Sequence, residues 1–169
     1  LKSLKLGSSL IKIGNNSFYN CSNLSGELVI TDKVTDIGDY CFFHCIEINS
    51  LKLSLTLENI GIYSFYGCSN LNGCLVIPDG IQCIGENSFA YTGFTSLTFN
   101  GTMEPKCDRP IFEEGKFIEL SLSSDYKNTS FCFVNEEINT NTIESITLPT
   151  NESSLTFSSS EVILSTIIT

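Results

Sequence analysis

Apolar positions return along residues 1–100 in one fixed order, unit after unit. Aligned on an Ile-Gly pair, the glycines are Gly14, Gly38, Gly61 and Gly85, at steps of 24, 23 and 24 residues. An aromatic follows each glycine: Phe18, Phe42, Phe65 and Phe89. Next come Cys21, Cys45, Cys68 and Thr92, then an apolar column of Leu24, Ile48, Leu71 and Phe94. A short alternating piece closes each unit: Leu28 and Ile30, Leu51 and Leu53, Leu75 and Ile77, Leu97 and Phe99. Leu4 and Leu6 begin that same strand column ahead of the first glycine. Two further columns, Leu10/Val34/Leu57/Ile81 and Ile13/Ile37/Ile60/Ile84, lead back to the glycine.

Self-similarity at this period belongs to a solenoid, in which each turn offers its neighbour the same apolar surface. Equivalent side chains then lie above one another at the strand spacing of about 4.8 Å, and the resulting ladders are the core. In each Leu-x-apolar piece the outer two residues point inward and the middle one outward. The glycine column marks a turn that needs positive φ or close backbone approach. Pro78-Asp79-Gly80 reads as a turn closing a strand. No long i, i+3, i+4 apolar stripe is present, so little helix is expected.

These columns also carry a family resemblance. The order Leu-x-Ile-Pro-Asp-x-(Val/Ile)-x-x-Ile-Gly-x-x-(Ser/Ala)-Phe-x-x-Cys-x-x-Leu resembles the BspA-like leucine-rich repeats, the treponemal type. LVIPDGIQCIGENSF (75–89) and LVITDKVTDIGDYCF (28–42) match it nearly throughout. The resemblance implies a leucine-rich-repeat solenoid, a right-handed β-rich coil of 22–24-residue repeats with a parallel sheet on its concave face. It also implies a surface protein of mucosal bacteria or protist parasites that binds host matrix proteins or other cells.

After Phe99 the pattern loosens. A Leu-x-Leu piece survives at Leu120 and Leu122, while the Ile-Gly phrase is gone and Pro105 and Pro110 appear. The expected organisation is therefore leucine-rich repeats over 1–100, an atypical C-terminal capping coil over 101–135, and a Ser/Thr-rich, strand-like segment over 136–169. A solenoid's last coil exposes an apolar end, and an atypical acidic coil is suited to cover it.

Composition narrows the function. The 169 residues carry 9 Lys and Arg against 19 Asp and Glu, a net charge of −10, which argues against nucleic acid or an anionic membrane as partner. No apolar run is long enough to span a bilayer. The chain opens at Leu1 without Met or a signal sequence, and reads as a segment of a longer protein or a matured product. Any membrane attachment is expected through an anchor outside the segment.

Candidate chemistry is sparse. Eight cysteines include no Cys-x-x-Cys pair, and His44 is the single histidine, so neither a metal site nor a cofactor is expected. Cys21, Cys45 and Cys68 share a column and read as a buried thiol ladder. Cys41 shares the small-residue column with Ser17, Ser64 and Ser88, another packing position. His44 beside Cys45 lacks the geometry of a nucleophile and its base, because adjacent residues of an extended segment point opposite ways. No catalytic motif stands out, and the expectation is a non-enzyme.

Cys107 and Cys132 lie outside the repeat columns, in the segment that needs a clamp, and are expected to form a disulfide. Cys74 and Cys83 are a weaker candidate pair, each in an outward column that other repeats fill with polar residues. Sequons at Asn15, Asn20, Asn23, Asn100, Asn128 and Asn151 exceed chance and point to a secretory route. The expected ligand surface is the outward row of the strands: Ser3, Lys5, Glu27, Val29, Ser50, Lys52, Val76, Ser96 and Thr98, with Cys74 among them. Binding is expected there and not on the turns, whose residues the glycine and the aromatic dictate.

The functional expectation is a non-catalytic adhesion or ligand-binding repeat domain, on a cell surface or secreted. Its partners would be proteins or glycoconjugates of host cells or matrix. The alternatives are a structural spacer and an intracellular protein-interaction scaffold.

Overall fold

Each repeat supplies two parallel strands to a coil. The computed structural model describes residues 3–113, 116 and 118–135, which form a parallel-strand solenoid of about five turns with no helix among the described residues. The strands in chain order are β1 (Lys12–Ile13), β2 (Gly26–Val29), β3 (Asp36–Ile37), β4 (Ile48–Lys52), β5 (Asn59–Ile60) and β6 (Asn72–Ile77). They continue as β7 (Cys83–Ile84), β8 (Gly93–Phe99), β9 (Glu119–Leu122), β10 (Ser130–Phe131) and β11 (Val134–Asn135).

The short strands stack as one parallel sheet in the order β1-β3-β5-β7, with Ile13, Ile37, Ile60 and Ile84 in register. The longer strands form two parallel sheets, β2-β4 and β6-β8-β9. Leu28 pairs with Leu51, and Leu75 with Leu97 and then Leu120. In each long sheet the register shifts once, after Gly26 and after Gly73, whose φ angles are 87° and 77°. Glycine reaches this left-handed region without a Cβ penalty, so the bulge absorbs the difference between neighbouring coils.

The turns between the two strand columns are hydrogen-bonded from coil to coil as well. The amide of Phe18 donates to the Cys41 carbonyl at 2.8 Å, Phe42 to Ser64 at 2.7 Å, Phe65 to Ser88 at 2.8 Å and Phe89 to Ile111 at 2.9 Å. Buried amides thus find partners even where no strand is formed. Inside these turns the phenylalanines stack, with ring centroids 5.0 Å apart for Phe18–Phe42, 5.3 Å for Phe42–Phe65 and 5.3 Å for Phe65–Phe89. Phe42, Phe65 and Phe89 are fully buried, each worth about 1.5–3 kcal/mol of apolar transfer.

The glycine column is there for space and not for a left-handed backbone. A Cβ on Gly61 would lie 2.5 Å from the Asp39 nitrogen and 2.5 Å from the Gly38 carbonyl carbon of the preceding coil. Positive φ instead falls two residues later, at Asn16 (57°), Tyr40 (53°), Tyr63 (55°) and Asn87 (50°).

The cysteine column has a second use. The Cys45 thiol donates to the Phe18 carbonyl and the Cys68 thiol to the Phe42 carbonyl, both at 3.1 Å. Cys41, Cys45 and Cys68 are fully buried, but Cys21 is only half-buried, since its coil packs against a neighbour on one side among the described residues. In the small-residue column, the Ser64 and Ser88 hydroxyls are buried without a hydrogen-bond partner.

At the N-terminal end the strand expectation needs adjustment. Leu4 and Leu6 pack half-buried against the core, but residues 3–11 form no strand, so Ser3 and Lys5 are exposed residues that belong to no sheet. At the other end the coil continues without its Ile-Gly phrase. The Ile84 amide donates to the Lys106 carbonyl at 3.1 Å, Asn87 to Pro110 at 2.8 Å, and β9 extends the sheet of β8. The antiparallel β10–β11 hairpin follows, with Phe131 4.6 Å and Tyr126 5.5 Å from the Phe99 ring. The expected strand-like segment 136–169, with its sequon Asn151, lies outside the described residues.

Candidate binding faces

The long strands present a row of side chains in register. Glu27 pairs with Ser50 and Val29 with Lys52; Cys74 pairs with Ser96 and then Glu119, Val76 with Thr98 and then Ser121. Their inward neighbours Leu28, Leu75 and Leu97 are buried, which fixes the direction of the row. Val29 and Val76 are exposed by 39% and 56%, apolar area that a partner would cover. Glu27 and Lys52 are exposed too, while Ser50, Ser96 and Thr98 are half-buried. Among the described residues, Lys5 and Lys52 have no ion-pair partner.

Cys74, on this side, and Cys83, in the short-strand sheet, do not pair as expected. Cys74 is an exposed free thiol, 3.3 Å from the Thr98 hydroxyl, and Cys83 is a half-buried free thiol in β7. They cannot meet, because β6 and β7 belong to different sheets of the coil. Cys107 and Cys132 are joined, with Cα atoms 5.4 Å apart, and tie the terminal hairpin to the fifth coil.

A shallow groove of about 410 Å³ follows the glycine column, lined by Lys12, Asp36, Gly38, Asp39, Asn59 and Gly61 among others. Its charges are already engaged. Asp36 accepts from Thr35 Oγ1 at 2.6 Å and Asn59 Nδ2 at 3.1 Å, and pairs with Lys12 at 3.2 Å. The Thr35 hydrogen bond foremost, with help from Lys12 and Asn59, holds this carboxyl below its usual range. Asp39 accepts the Ile62 amide at 2.8 Å, and Asn15 accepts the Asp39 amide at 2.9 Å. This is a polar seam between coils.

Of the sequon asparagines, Asn20, Asn23 and Asn100 are exposed. Asn15 is exposed with its carbonyl oxygen used in that seam, and Asn128 donates through Nδ2 to Glu104 at 3.1 Å.

The turns carry a surface that the column reading missed. Tyr19, Phe43 and Tyr66 stack at centroid spacings of 4.9 and 5.1 Å with planes 1° and 4° apart. Tyr40 and Tyr63 stack beside them at 5.2 Å, and Tyr91 meets Tyr66 edge-on at 5.0 Å. His44 is exposed and lies flat on Phe43 at 4.4 Å, over Gly67, where any Cβ would strike its ring. Cys45 is buried beneath, so the two residues form no nucleophile and base. Burial first, and then Tyr91, Tyr63 and Glu113, hold the Tyr66 phenol above its usual range. The signal was present in the sequence as two columns of aromatics, Tyr19/Phe43/Tyr66 and Tyr40/Tyr63.

The family model of the BspA type leucine rich repeat region matches six copies, over residues 1–112 and 73–168. No curated protein matches the chain. Among solved structures, the chain is similar to a leucine rich repeat protein of T. pallidum, at 16% identity over 72% of this chain and 73% of that one, with a TM-score of 0.48. The repeated Ile-Gly, phenylalanine and cysteine columns, stacked as parallel coils and matched by this model along their whole length, make the chain a member of the BspA type leucine rich repeat family.

Proposed function

We propose that this domain is a non-catalytic adhesion module, carried on a cell surface or secreted, that binds proteins or glycoconjugates of host cells or matrix through its strand row. The observation that supports this reading is the in-register row Glu27–Ser50 and Val29–Lys52, continued by Cys74–Ser96–Glu119 and Val76–Thr98–Ser121. Inward positions are committed to the core, so the middle positions vary on a rigid platform. A protein partner would cover about 800 Å² on this side, several coils at once. Each residue then contributes modestly, and lost binding requires several changes together. The Cys107–Cys132 disulfide favours an oxidising compartment over the intracellular scaffold.

The test uses purified protein on matrix-coated wells and cell monolayers. Lys5→Glu, Val29→Asp and Lys52→Glu together should abolish adhesion without changing the melting temperature. Lys33→Glu, Lys127→Glu and Thr129→Asp together, an equal change of charge at exposed positions off the row, should leave adhesion intact. Equal adhesion by both variants would mean that the row is not the contact. No adhesion by the unaltered domain would favour the spacer.

A further inference from the structure

We infer that the aromatic face of the turns is a second docking surface, built for an arginine-bearing, basic protein segment.

Backbone preference is given up on this face to expose rings. The column of Asn16, Tyr40, Tyr63 and Asn87 has φ between 50° and 57° throughout, and a second left-handed column holds Asn20, His44, Gly67 and Tyr91, with φ from 54° to 71°. Asparagine and glycine are the residues that tolerate this region, and both columns use them where no ring stands. A bulky ring there is held against its backbone preference, and such outliers cluster at functional sites. The exchange does not serve the core: Tyr40 and Tyr91 are 37% and 56% exposed, as is Tyr19 at 49%. Tyrosine gives large contact area at little cost in side-chain entropy, which is why it is enriched where proteins bind.

Charge selects the occupant. The turn segments 15–22, 39–46, 62–69 and 86–93 contain Asp39 and Glu86 and no Lys or Arg. Next to Tyr91, Glu113 accepts that residue's amide at 2.8 Å, and its partner Lys116 is largely covered, with a side chain only 16% exposed. Among the described residues of these turns, a cationic partner meets no exposed like charge. Phe43 covers one face of the Tyr19 ring, and Tyr66 meets Tyr91 at 66°, so these outermost rings keep face area on which a guanidinium can lie. The tyrosine hydroxyls accept its N–H groups. The repeats that bear this face, residues 1–100, hold eight Asp and Glu against five Lys, a negative balance that draws such a segment in from solution.

The probe is a fluorescein-labelled nona-arginine peptide, with a nona-lysine and a neutral Gly-Ser peptide alongside, read by fluorescence anisotropy near physiological salt. The test variant carries Tyr40→Asn and Tyr91→Asn, which place at these positions the residue found elsewhere in the same columns, so folding is kept and net charge is unchanged. A melting curve checks the fold. The expected result is arginine-peptide binding that weakens about tenfold in the variant, the loss of two cation–ring contacts. Nona-lysine should bind more weakly than nona-arginine and lose less. Equal binding by protein and variant would reduce the effect to net charge and overturn the inference, as would binding no tighter than that of the Gly-Ser peptide. The strand-row variant separates the two surfaces: it should lose adhesion and keep the arginine peptide, and the tyrosine variant should do the reverse on any matrix that reads the strand row alone.

Discussion

Gly61→Ala should be among the most damaging single-atom additions in this molecule, and Gly14→Ala one of the mildest, although both glycines occupy the same column. At Gly61 the added Cβ would sit 2.5 Å from the Asp39 nitrogen, 2.5 Å from the Gly38 carbonyl carbon and 2.6 Å from the Asp39 carboxylate oxygen. Two of these are backbone atoms of the preceding coil, held by the β3–β5 pairing and by the Gly61 amide's bond to the Ile37 carbonyl at 2.8 Å. No rotamer change can clear the contact, so the coils must part locally. Overpacking of this kind costs about 1–3 kcal/mol where side chains can yield, and a rigid backbone obstacle lies at or above the top of that range. Losing unfolded-chain entropy returns about 0.4–1 kcal/mol. The net expectation is a loss of about 2–3 kcal/mol, or about 1–3 M in urea midpoint at ordinary slopes. At Gly14 the new atom would meet only Ser17 Oγ at 3.5 Å, ordinary contact, and φ is not positive. Only the entropic term remains, so Gly14→Ala should be neutral or stabilising by about 0.4–1 kcal/mol. Urea unfolding followed by far-ultraviolet circular dichroism measures both. Coincident midpoints for the two variants would refute close coil approach as the reason for this column.

Ser64→Ala and Ser88→Ala should each hold or raise stability, by about 1 kcal/mol, because each removes a buried hydroxyl without a partner; a clear loss in thermal midpoint would show that the hydroxyls are satisfied. Cys107→Ser with Cys132→Ser should cost about 3 kcal/mol for a link across 25 positions, and reduction of the unaltered protein should match it in urea titrations. A thiol reagent should modify Cys74 at once and reach Cys41, Cys45 and Cys68 only on unfolding, so rapid labelling of those three would contradict their burial. Burial above all raises the Cys45 thiol to about 11 and the Cys41 thiol to about 12, from 9.0. Since their folded values exceed the unfolded one, this contribution is intact below pH 9 and is lost as pH climbs toward 11–12. Cys45→Ala should flatten that fall, and identical pH profiles would exclude the thiol as its source.

The sequence by itself determined the solenoid, its period, its inward columns and its family, because every coil repeats the same stacking problem. One Leu-x-apolar piece is ambiguous, but four at a fixed period with four Ile-Gly pairs leave little choice. It also singled out Cys107 and Cys132, as the cysteines standing outside the columns in an irregular coil. Three things were decided only in tertiary structure. The β1-β3-β5-β7 sheet rests on strands of two residues, too short to show alternation, which become strands by stacking on the coil before. The glycines' purpose depends on the distance between coils, which no local pattern contains. The aromatic face depends on the left-handed backbone at Tyr40, Tyr63 and Tyr91. A run of turn residues does not say which way its side chains point until φ is known, and here φ is dictated by hydrogen bonds from each turn to the one stacked on it.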